Sequence, residues 1–142
     1  MTSSRWLTRL GVLLFSIGLL TGLLTKTLSN PRMTVTSHIV GMMGGMFLMI
    51  LGLTWSKLQL SPRSKLITFW TAVYGIYASW AVRIIAAAWD AGGSMMPMAS
   101  NGHLGSKIQE GAIKVIILTF IIALSCTCVL VLRGLRGSDE SN

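Results

Sequence analysis

Four stretches of this 142-residue chain are each long and apolar enough to cross a lipid bilayer, and that limits it to very few folds. A helix needs roughly 20 apolar residues to cross a hydrocarbon layer about 30 Å thick. The stretches run from about Trp6 to Leu28, Val35 to Leu58, Leu66 to Trp89 and Lys107 to Leu132. None alternates as a strand does, and in lipid a helix satisfies its own backbone groups. The expected fold class is an all-α integral membrane protein, a four-transmembrane-helix bundle forming one domain over residues 1–142. Charged residues make up 11% of the chain, against about 25% in soluble domains, which excludes an ordinary soluble globule.

The segment ends follow from local chemistry. The first begins after Arg5 and Arg9 like a signal peptide, but no small-x-small cleavage site follows, and Leu23 and Leu24 continue the run. Pro31 opens the second, with Thr34, Thr36 and Ser37 as possible caps. Ser61, Pro62 and Arg63 break the chain before the third, and Arg133-Gly134 offers a stop for the fourth. The connection from Asp90 to Ser106, rich in Gly, Ser, Met and Asn, is the one long loop, a lid or simple slack.

The net charge of +8 comes from twelve Lys and Arg against Asp90, Glu110, Asp139 and Glu140. In a soluble protein this balance suggests nucleic acid. Here the cations flank apolar runs and no aromatic residues interleave with them, so the expected partner is the lipid bilayer and not nucleic acid. Arg5, Arg9, Lys57, Arg63, Lys65, Arg133 and Arg136 fall at one end of the bundle, and Lys26, Arg32 and Lys107 at the other. The positive-inside rule then puts both termini in the cytoplasm, with the protein in the plasma (inner) membrane.

Ionisable groups inside such segments are expensive, so their depth is informative. In an up-down bundle His38, Arg83, Glu110 and Lys114 fall in the same outer half, which predicts a shared polar pocket. Its charges compensate there, Glu110 reaching Lys114 at i,i+4 and Asp90 standing two turns from Arg83. Around Arg83 lie Ala72, Ser79, Ala86, Ala87 and Asp90; around His38 lie Gly41, Met42, Gly45, Met49 and Gly52. A histidine above glycines leaves room for a flat ligand. The plainer reading is that Gly41/Gly45 and Gly18/Gly22 form G-x-x-x-G pairs of close helix contacts.

Other residues have plain readings too. His38 donates to a carbonyl, Arg83 snorkels to headgroups, and Met42, Met43, Met46 and Met49 fill gaps. Trp6, Trp55, Trp70 and Trp89 form an interfacial belt, and His103 is solvated. Cys126 and Cys128 point apart on one helix and cannot pair. No nucleophile elbow, phosphate loop, Cys-x-x-Cys or metalloprotease helix is present.

Several short motifs carry a resemblance. Asn30-Pro31-Arg32-Met33, Ser37-His38 with Gly41 and Met46-Phe47-Leu48, Tyr74 through Trp80, Met96-Pro97-Met98-Ala99 and Glu110 resemble the hydroxylaminobenzene mutase family, a relative of styrene oxide isomerase. The resemblance implies a membrane isomerase that rearranges a small aromatic epoxide or aryl hydroxylamine. It further implies haem b as Lewis acid, His38 as the metal ligand, and a homotrimer with the cofactor at the subunit boundary, a homo-oligomer that the glycine faces would suit. Gly41 and Gly45 join His38 as cofactor-binding candidates, and Tyr77, Ser79, Arg83 and Glu110 are the catalytic candidates. The family pattern commonly has Asn six residues after the histidine and before the third-helix Trp. Gly44 and Ser79 stand there instead, so two substrate-orienting groups are missing. The alternatives are a non-catalytic membrane subunit and a small cation carrier, although the first segment lacks the acid such carriers use.

Overall fold

The computed structural model describes residues 3–136. Helix α1 spans Ser3–Thr21 and tightens into a 3-10 turn over Gly22–Lys26. Helix α2 spans Pro31–Thr54, α3 Pro62–Trp89, α4 the single turn Pro97–Ser100, and α5 Lys107–Leu135. The four long ones are sufficiently long and apolar to span a membrane.

Helix starts are set by side-chain caps with proline or a capping box behind them. The Asn30 side chain accepts from the Met33 amide at 3.1 Å, with Pro31 in the first helical position where no amide is needed. Ser61 does the same for the Ser64 amide ahead of α3. Ser106 and Gln109 form a reciprocal capping box at the start of α5. Thr34, Thr36 and Ser37 are not the caps of α2: Thr34 and Thr36 bond back to carbonyls four residues earlier, and Ser37 donates to the Trp80 carbonyl at 3.2 Å.

Packing follows chain order: α1 lies along α2, α2 against α3, and α3 against α5. The α1–α2 seam is built from glycine. A Cβ on Gly18 would stand 2.7 Å from the Met42 nitrogen, and one on Gly45 2.6 Å from the Gly11 oxygen. Backbones approach this closely only where neither side carries a side chain. Both G-x-x-x-G pairs are therefore spent inside the chain rather than on a face for another copy. Behind the seam, Leu7, Leu14, Leu48, Leu51, Trp55 and Ile76 form one core cluster, and Met33, Val82, Ala86, Ile113, Ile117 and Phe120 a second.

Two expectations at the other end of the bundle change. Trp55 is only 7% exposed and belongs to the core, not to an interfacial belt, whereas Trp6, Trp70 and Trp89 are exposed. Gly134 does not stop α5, which runs on to Leu135; it is buried under Leu58 and Leu60, and its carbonyl accepts from the Gln59 amide at 2.9 Å. Large apolar side chains such as Leu20, Leu53, Leu66 and Ile122 cover the outward faces.

Candidate functional site

His38 stands where α1 changes from α to 3-10 geometry. The glycine seam brings the Gly18 carbonyl to 2.7 Å from His38 Nδ1, and a Cβ on Gly22 would meet the same ring atom at 3.0 Å. A carbonyl only accepts, so Nδ1 carries the proton and the neutral ring keeps its lone pair on Nε2. Nε2 has no hydrogen-bond partner among the described residues, and the side chain is half-buried. This is the carbonyl bond of the plain reading, and it is also what a metal-ligating imidazole needs, because the donated proton fixes tautomer and ring orientation.

Trp80 anchors the neighbouring wall. Its Nε1–H donates to Thr21 Oγ1 at 3.3 Å, its carbonyl receives Ser37, and a Cβ on Gly41 would lie 2.9 Å from its ring. The space beside Gly41 and Gly45, read from the sequence as room for a ligand, is taken by α1 and by Trp80. Gly44 is likewise closed by Ile76, to which a Cβ would come within 2.6 Å. Beyond Trp80, an apolar groove of about 410 Å³ is lined by Ile17, Leu20, Thr21, Leu23, Trp80 and Ile84.

Arg83 faces elsewhere. Its Nη1 donates to the Ser79 carbonyl of its own helix, and Cζ lies 6.0 Å from the centre of the Phe120 ring on α5. Its Nε–H is buried without an acceptor. Ser79 donates its hydroxyl to the Ile76 carbonyl at 2.9 Å, and Tyr77 donates to the Leu10 carbonyl of α1 at 2.8 Å. Both hydroxyl protons are therefore engaged, and only the oxygen lone pairs remain for a guest.

The single shared pocket does not form. His38 makes its contacts on α1, Arg83 on α3 and α5, and Glu110 in the loop between α3 and α5. Glu110 does not pair with Lys114, which is exposed. Its carboxylate accepts from the Gly92 amide at 2.6 Å, the Gly105 amide at 3.0 Å, and both the amide and hydroxyl of Ser94. A short acidic side chain in the first turn of α5 reaches these orphan amides more readily than a lysine one turn away. Asp90 turns from Arg83 to His103, whose Nδ1 lies 2.6 Å from its Oδ2; His103 is thus hydrogen-bonded rather than merely solvated. Asn30 Nδ2 bridges Asp90 and the Ser100 carbonyl, and Arg32 bonds Asn101. The long loop is fastened down, not slack.

Sequence reasoning missed Asn30 and Phe120 as partners, because their roles depend on residues 60 or more positions away or on another helix. Trp80 was visible only as part of a motif.

Comparison with known proteins shows the family. The family model described as styrene oxide isomerase matches residues 3–136, all of the described chain. The chain belongs to the styrene oxide isomerase family. Within reach of that family, it is 43% identical to hydroxylaminobenzene mutase HabB of Ectopseudomonas oleovorans over 135 residues, covering 95% of this chain and 82% of that protein. It is 38% identical to hydroxylaminobenzene mutase HabA of the same organism over 125 residues, covering 88% and 93%. No solved structure matches it.

Proposed function

We propose that this protein is a membrane isomerase that rearranges a small aromatic epoxide or aryl hydroxylamine, with haem b held by His38. The observation that carries the reading is the bond from His38 Nδ1 to the Gly18 carbonyl, which leaves Nε2 as a free ligand atom. No three His, Cys, Asp or Glu side chains gather among the described residues, so a metal held by protein ligands alone has no site there. Haem asks the chain for one imidazole, and the residues fit it.

When bound, haem supplies a Lewis acid for the substrate oxygen. The chain's own residues do the rest. Gly18 holds the His38 ring in one orientation, and Gly22 gives it room. Trp80 and the apolar groove beside it keep water from an organic fragment on which positive charge builds, and so prevent its capture as a diol or other hydrolysis product. Tyr77 and Ser79 act as acceptors only, since their protons are already given to Leu10 and Ile76. Glu110 holds the loop and is not part of this chemistry.

The same proposal places both termini in the cytoplasm of a plasma (inner) membrane and makes the protein a homotrimer that assembles through surfaces other than the α1–α2 glycines. The test is a visible spectrum of detergent-purified protein after haem supplementation, with product analysis on hydroxylaminobenzene and styrene oxide. A Soret band lost in His38→Ala, with aminophenol or aldehyde formed by wild type alone, is the expected result. A spectrum indifferent to His38→Ala removes the cofactor assignment, and no product from either compound removes the enzymatic one.

A further inference from the structure

We infer that Arg83 receives the carboxylate of an aromatic acid, so that the substrate class of this chain includes aromatic compounds carrying an acid group; this rests on the proposed rearrangement of aromatic substrates. Three observations carry it.

The first is depth. Arg83 lies six residues, about 9 Å, inside the outer end of α3. Side chains on a helix lean towards its N-terminus, and this one does: it folds back to the Ser79 carbonyl and to Phe120. Phe120 is thirteen residues, about 20 Å, into α5 from the same outer end. The guanidinium therefore points into the bundle and away from the headgroups, and snorkelling does not account for it.

The second is charge. The side-chain carboxylates among the described residues are Asp90 and Glu110, and both are committed in the loop, to His103 and Asn30 and to the Gly92, Ser94 and Gly105 groups. Arg83 thus has no anionic partner among the described residues. A guanidinium at this depth is costly unless something compensates it.

The third is the shape of what is left. Nη1 is used by Ser79, while Nε–H is buried without an acceptor and Nη2 has no partner among the described residues. The vacant Nε–Nη2 edge is the fork that grips a carboxylate with two parallel hydrogen bonds. Beside it stands the Phe120 ring, itself buried in the core cluster with Val82, Ala86 and Ile117. One vacant fork at this depth suits the carboxylate of an aromatic substrate better than a lipid phosphate, whose charge stays at the headgroup level.

Isothermal titration of the full chain in phosphatidylcholine nanodiscs tests this, with benzoate, benzyl alcohol and inorganic phosphate as probes. Benzoate is expected to bind saturably and at least tenfold tighter than either other probe. Arg83→Gln should weaken benzoate at least tenfold, with Arg83→Lys in between, because it restores charge without the fork. Wild-type discrimination needs no variant, so a poorly folded Arg83→Gln leaves the proposal testable. Equal affinity for benzoate and benzyl alcohol overturns it, as does unchanged binding in a folded Arg83→Gln. Loss of benzoate binding when the nanodiscs contain phosphatidylglycerol also overturns it, since a headgroup then occupies the fork. Binding is read without haem or turnover, so rearrangement of neutral substrates without benzoate binding sinks this inference alone, and benzoate binding without any rearrangement sinks the enzymatic reading alone.

Discussion

The Gly92 amide donates to Glu110 Oε1 at 2.6 Å, fastening the loop that leaves α3 to the first turn of α5. Glu110 also takes the Gly105 amide and the Ser94 hydroxyl, so one carboxylate closes both ends of a fourteen-residue excursion, Gly92 to Gly105.

Glu110→Ala leaves these amides to water or to nothing. Thermal unfolding in detergent should report a loss of about 1–3 kcal/mol, and Glu110→Gln should recover part of it. The turnover number per folded molecule should stay close to wild type. A full loss of turnover in a protein of unchanged melting temperature would return Glu110 to the catalytic group.

Asn30 caps α2 through its oxygen and donates through its nitrogen to Asp90 and the Ser100 carbonyl, all while 4% exposed. Asn30→Ala should cost about 2–3 kcal/mol, since a cap and a buried pairing are lost together. Asn30→Asp keeps the cap, loses the donors and sets a carboxylate against Asp90. It should therefore also destabilise, and increasingly so as pH rises through the carboxylate range, measurable as a melting temperature that falls with pH relative to wild type.

Gly18→Ala drives a methyl to 2.7 Å from the Met42 nitrogen, where neither backbone yields. The expected destabilisation is about 1–3 kcal/mol. Gly111→Ala is the matched control: nothing lies within 4 Å of its Cβ position, and an exposed helical alanine should be neutral or gain up to about 1 kcal/mol. Equal effects of the two in a chemical unfolding series would mean that the seam is not closed.

Gly22→Val places branched carbons against His38 Nδ1 and Cε1, 3.0 and 3.2 Å from the Cβ position. The ring must tilt, and its bond to Gly18 weakens. On the proposed assignment of haem to His38, haem retention through a desalting column should fall several-fold while the helical circular dichroism persists. Retention equal to wild type would show that the ring's orientation is immaterial.

Much of the fold was legible because lipid leaves few options for long apolar runs, and the four helices lie where hydropathy put them, to within a few residues. The ends were read less well. Asn30 outcompetes Thr34 as a cap because it alone precedes Pro31 in extended conformation, a matter of backbone geometry that composition does not carry. Trp55 looked interfacial by position, but a 3-10 turn rolls it inward onto Leu51 and Leu58. The candidate site was legible one residue at a time. His38, Arg83 and Glu110 share a depth, which is what sequence spacing measures. They do not share a direction, which depends on the angle at which each helix meets its neighbour.

The glycine seam has a kinetic corollary. Every residue in it lies between Ser4 and Gly52, so its contacts are complete before α3 has been synthesised. The α1–α2 hairpin can zip shut in the bilayer as a first folding unit, and the imidazole of His38 is seated against its carbonyl by that step alone. Trp80 then arrives on a surface already made. Seating of the His38 ring is thereby separated in time from burial of Arg83, which waits for α5.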